Sequence, residues 1–91
     1  MPNKLRVFRK QIQGIDLQII KQISSRLGLV KKVGKFKKKS GYAIHDPAYE
    51  NFLMNYYIKL SIRYGLPQKA VLKLFQQIIN LSKCIQTNVR T

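Results

Sequence analysis

The chain has 91 residues, of which 45% are hydrophobic and 10% aromatic, so it holds one domain at most and is apolar enough to fold. One cysteine and one histidine exclude an internal disulfide framework and a zinc cluster assembled within one chain. Eighteen Lys and Arg against three Asp and Glu give a formal charge of +15, which points to an anionic partner: nucleic acid, lipid head groups, or a carboxylate or phosphate ligand.

The predicted elements, in chain order, are all helical. From Asn3 to Asp46 no proline interrupts the sequence. Leu5, Phe8, Ile12, Ile15, Ile19, Ile23, Val30 and Val33 recur at spacings of three and four, with one seven-residue step across Arg26. That period predicts a single helix over about 4–39. Gly14, Gly28 and Gly34 each cost it roughly 1 kcal/mol against alanine, so it needs tertiary support. Lys37-Lys38-Lys39 followed by Ser40-Gly41 is a natural stop. A second helix over 47–64 has Asp46 as N-cap, Pro47 at its first position and Gly65 just past its end. Its apolar face is Phe52, Leu53, Tyr56, Tyr57 and Leu60. Pro67 opens a third helix over 67–88, with Val71, Leu74, Phe75, Ile78, Ile79 and Ile85 as its stripe. Nothing reads as a strand. The expectation is an all-α single domain, 1–91, of one long N-terminal helix and two shorter ones.

At 1.5 Å per residue the first helix is ~50 Å long and the others ~27 and ~33 Å. One helix that outruns its neighbours leaves apolar surface uncovered, and a second copy of the chain covers it most simply, so a homodimer is expected. No run approaches the ~18 consecutive apolar residues of a membrane span. The start, MPNKLRVFRK, has charges with no apolar stretch behind it, so the chain reads as neither membrane-bound nor secreted but cytoplasmic. No regulatory or second catalytic domain is expected alongside it.

Polar residues are informative where the register calls for an apolar one. Arg26 sits between Ile23 and Val30, and Lys37, eleven residues on, returns to the same face after three turns. Ser82 and Gln86 form an i, i+4 pair beside the third stripe, and Asp46 and Glu50, two of only three acids, open the second helix. Together they outline a site with cations for an anionic ligand and carboxylates for a hydroxyl. Each also has a plain structural reading. Arg26 and Lys37 are then snorkelling cations, Asp46 an N-cap, Glu50 a first-turn acid favoured by the helix dipole, and Ser82 and Gln86 surface polars. Lys31, Lys35 and Lys38 fall on another, solvated face; His45 reads as solvated, Cys84 as a small packing residue, and Asp16 as structural.

The ordered set F-R-K-Q-I-Q-G-I-D (Phe8–Asp16), Arg26, V-G-K-F-K around Lys37, H-D-P-A-Y-E (His45–Glu50), G-L-P (Gly65–Pro67) and L-F-Q-Q-I-I-N-L-S-K-C-I-Q (Leu74–Gln86) resembles the all-helical, AroQ-type chorismate mutases. The resemblance covers about Leu5 to Asn88. It implies an intertwined dimer of three-helix chains whose two sites each draw on both chains, and the conversion of chorismate to prephenate on the way to phenylalanine and tyrosine, with no metal or other cofactor. Carried over by position, Lys37 and Gln86 would donate to the ether oxygen and Glu50 would accept from the ring hydroxyl. Arg26, with Arg9 from the partner chain, would grip the carboxylates, and Ser82 and Asp46 would support the ring carboxylate or hydroxyl. Arg9 lies ~25 Å along the helix from Arg26, too far for one small ligand to touch both on one chain. Tyr49 departs from the arginine the family commonly has there; it retains a hydrogen-bond donor for the substrate, and reduced rather than absent activity is expected. The alternatives are an isochorismate-pyruvate lyase of the same fold, whose members lack the acidic pair, an inactive mutase-like binding protein, and a basic helical dimer that binds nucleic acid. The last rests on charge alone, with no recognition motif to support it.

Overall fold

The computed structural model describes residues 3–90, and side chains over 3–88. Three helices follow one another: α1, Lys4–Ser40; α2, Pro47–Arg63; and α3, Gln68–Arg90. No strand occurs among the described residues, and the all-α expectation holds.

The helix ends have chemical causes. Asn3 caps α1 through its side-chain oxygen, which accepts from the Leu5 amide at 2.9 Å. Gly41 ends α1 at φ 76°, a left-handed conformation that a side chain would strain, and the Tyr42 amide donates back to the Lys37 carbonyl at 3.0 Å. The lysines at 37, 38 and 39 meet the negative end of the α1 dipole. Asp46 caps α2 by accepting from the Tyr49 amide at 3.2 Å, with Pro47 beginning the helix. Gly65 closes α2 at φ 65° with a paired return: Gly65 N–H to the Ile62 carbonyl and Leu66 N–H to the Ser61 carbonyl, a Schellman motif. Pro67 does not open α3 as its first residue. It lies one place before Gln68, and its carbonyl accepts from the Val71 amide at 3.1 Å, so it acts as the cap.

α3 packs against both α1 and α2, which do not pack on each other. Among the described residues, Val30, Tyr57 and Ile79 are the buried apolar side chains, one from each helix. The Tyr57 ring stacks on Phe75 with centroids 4.2 Å apart, joining α2 to α3. This is a thin core. The molecule measures 60 × 27 × 15 Å with a radius of gyration of 16.9 Å, where a compact chain of this length has ~12 Å. The N-terminal half of α1 projects from the body, and its stripe residues Phe8, Ile12, Ile15 and Ile19 are all more than half exposed.

Candidate active site

The gap between α1 and α2, floored by α3, forms a cavity of about 240 Å³. α1 contributes Arg26 and Lys37, the first turn of α2 with its cap contributes Asp46, Tyr49 and Glu50, and α3 contributes Ser82 and Gln86. Seven of the eight residues singled out in the sequence therefore line one space. Leu29, Val30, Val33, Ile44, Leu53 and Ile79 supply its apolar wall. The eighth, Arg9, lies near the start of α1 beside Arg6, Lys10 and Gln13, away from the cavity.

The polar side chains are held by one another. The Arg26 guanidinium donates to the Ser82 hydroxyl oxygen, and that hydroxyl donates its own proton to the Ile78 carbonyl at 2.8 Å, which fixes its lone pairs toward Arg26. Burial raises the Tyr57 hydroxyl above the ordinary tyrosine value, and the neighbouring Arg26 guanidinium pulls it partly back. Lys37 donates to the Ile44 carbonyl at 3.1 Å, tying the α1–α2 connection to the site while two further ammonium donors remain. Gln86 is buried, and its carbonyl oxygen has no hydrogen-bond partner. A buried amide in that condition is prepared for a partner that arrives with a ligand. A half-turn about its last bond exchanges oxygen for nitrogen, so the amide can offer either a donor or an acceptor.

One residue differs from its sequence reading, one gains a neighbour and one is added. Cys84, expected to pack, is exposed on the outer side of α3. His45 is largely exposed as expected, yet its Nδ1 lies 3.7 Å from Glu50 Oε1. Lys83 lines the cavity and pairs with the same carboxylate oxygen at 2.9 Å. The signal that could have found it is its place four residues after the stripe residue Ile79, which is easily passed over for one lysine among eighteen basic residues. With Arg26, Lys37 and Lys83 against Asp46 and Glu50, the lining is net positive. The arrangement suits a small anion that also carries a hydroxyl. No group of three or more His, Cys, Asp or Glu among the described residues is placed to hold a metal ion.

Comparison with known proteins decides the class. A family model described as chorismate mutase type II matches residues 8–87, nearly the whole chain. The chain belongs to the chorismate mutase type II family. Within it, the chain is 34% identical over 86 residues to a protein named chorismate mutase from Methanocaldococcus jannaschii, covering 94% of this chain and 87% of that one. It is similar at 34% and 28% identity to proteins named bifunctional chorismate mutase/prephenate dehydratase from Buchnera aphidicola and Aquifex aeolicus. Of those two the chain spans 22% and 25%, so the likeness is to one part of each. The three-helix architecture and the family assignment agree. No helix among the described residues is long and apolar enough to cross a membrane.

Proposed function

We propose that the protein is a chorismate mutase, an isomerase that converts chorismate to prephenate in aromatic amino acid biosynthesis. The observation that carries this reading is the convergence of Arg26, Lys37, Glu50, Ser82 and Gln86 from three helices on one cavity, in a chain of this family. The reaction is intramolecular: an ether C–O bond breaks while a C–C bond forms in the same molecule. The protein's task is to hold a flexible dianion in its reactive chair and to place fixed positive charge at the ether oxygen, where negative charge grows.

In this reading Lys37 and Gln86 donate to the ether oxygen. Arg26 takes one carboxylate, for which a guanidinium fork is well shaped. Glu50 accepts from the ring hydroxyl, Ser82 holds Arg26 and supports the ring carboxylate, and Asp46 and Tyr49 close the α2 side. Arg9 serves the site of a second copy of the chain and takes the other carboxylate there. A homodimer is supported by the exposed stripe on α1, the extended shape and the separation of Arg9 from its own cavity.

The test is the loss of chorismate absorbance with purified protein, the product being identified by chromatography. Prephenate is the expected product. No turnover by intact dimer would overturn the reading in favour of a binding role, and release of pyruvate from isochorismate would redirect it to the lyase chemistry.

A further inference from the structure

We propose that Lys83 is a positioning residue of this site, whose ammonium pins one oxygen of the Glu50 carboxylate so that the other is presented to the ligand's hydroxyl; the inference rests on the mutase reading above. The pair joins two elements that otherwise meet elsewhere. Lys83 lies on α3 between Ser82 and Gln86, both buried and both lining the cavity, while Glu50 lies in the first turn of α2 across from them. Lys83 Nζ is 2.9 Å from Glu50 Oε1, and the two side chains are 30% and 23% exposed. An ion pair in open solvent contributes next to nothing, but this one is more than two-thirds shielded and opens on the cavity.

The orientation is the important part. Both nitrogens near the Glu50 carboxylate lie on the side of Oε1: Lys83 Nζ at 2.9 Å and, farther off, His45 Nδ1 at 3.7 Å. A carboxylate engaged at one oxygen keeps its second oxygen as a strong acceptor. Glutamate has three rotatable bonds, and one at the mouth of a cavity without a fixed partner samples several rotamers. Lys83 therefore makes one of those rotamers the resting state before a ligand arrives. The backbone of Lys83 is itself anchored mid-helix, its carbonyl accepting from the Thr87 hydroxyl at 2.9 Å, so the lysine reaches across from a fixed base.

A hydroxyl bond formed in the ground state and kept in the transition state contributes to both equally, so its loss raises KM and leaves kcat nearly unchanged. The experiment is a double-mutant cycle in steady-state chorismate kinetics on the full chain, with Lys83→Met, Glu50→Gln and the double variant. Lys83→Met is expected to raise KM roughly tenfold, the value of one charge-assisted hydrogen bond, with kcat within about threefold. In the Glu50→Gln background the same change should cost no more than about twofold, because its target is gone. Lys83→Arg should restore most of the affinity. Equal losses in both backgrounds, or a Lys83→Met protein with unchanged KM, would overturn the proposal while the mutase reading stands. Wild-type protein that leaves chorismate untouched would remove both. Helix content by circular dichroism accompanies each variant, and Lys83→Gln replaces Lys83→Met if the latter unfolds; loss of structure in both makes Lys83 a folding residue and ends the proposal.

Discussion

At the scale of single residues, the proposed chemistry depends on two donors of different kinds aimed at one oxygen. Lys37 brings a full charge, and removing one preorganised donor of this sort costs about 10²–10³-fold in rate. Lys37→Ala should therefore drop kcat by at least that factor with helix content unchanged, read by chorismate absorbance and circular dichroism. A variant that kept most of its turnover would place the ether-oxygen donor elsewhere. Gln86 brings a neutral amide, which donates at any pH, so activity should be flat around neutrality. Gln86→Glu changes that with a definite sign. A carboxyl donates only when protonated, and its ordinary pKa of ~4.3 is raised by burial. The variant should be active below that raised value and lose activity as pH rises through it, which a pH–rate profile shows directly. These residues could be read from the sequence because each breaks an apolar register: Arg26 between Ile23 and Val30, Ser82 and Gln86 beside the α3 stripe. Lys83 follows Ile79 by four residues, but its role depends on where the first turn of α2 comes to rest, and no spacing along the chain encodes that.

At the scale of elements, the helix ends were legible and the packing was not. Asp46-Pro47, Gly65 and the lysine run before Gly41 act through local backbone chemistry, so their meaning does not depend on the rest of the fold. A stripe is different. It says that a face wants cover without saying what covers it, and so Phe52, Tyr56 and Leu74 read as core yet are exposed in the single chain. Tyr57 is the position where a stripe residue does become core. Its ring stacks on Phe75, and its hydroxyl feels the Arg26 guanidinium. Tyr57→Ala should destabilise the protein by roughly 3–5 kcal/mol in denaturant unfolding, the usual cost of deleting a buried aromatic. Tyr57→Phe keeps the stack and isolates the hydroxyl. The folded state raises the Tyr57 pKa above 10.0, so the folded form holds its proton where the unfolded form releases it. The stability of the wild type relative to Tyr57→Phe should be constant below pH ~10 and fall as pH rises through the raised value.

At the scale of the whole molecule, the proposed homodimer makes the single chain half of the working unit. Its described buried apolar side chains are one per helix, half of α1 stands clear of the body, and the cationic start of α1 faces away from its own cavity. The proposed homodimer would answer all three: a second chain lying along α1 would cover the stripe and bring Arg9 to the cavity it cannot reach at home. Sedimentation at micromolar concentration should then give twice the 10.6 kDa chain mass, and a monomer would sink the shared site. A sharper consequence follows from symmetry. Arg9→Ala damages a site through the chain that lends the arginine, whereas Arg26→Ala damages it through the chain that owns the cavity. Each homodimer is inactive at both sites. In a mixed dimer one site collects both defects and the other collects neither. Random exchange makes half of the dimers mixed, each with one of its two sites whole, so combining two nearly inactive proteins should restore about a quarter of wild-type activity. If each site were built within one chain, mixing would restore nothing, since every site would carry the defect of its own sequence. The recovered rate after refolding the two variants together, compared with the sum of the variants refolded apart, distinguishes these cases without knowledge of the dimer's geometry.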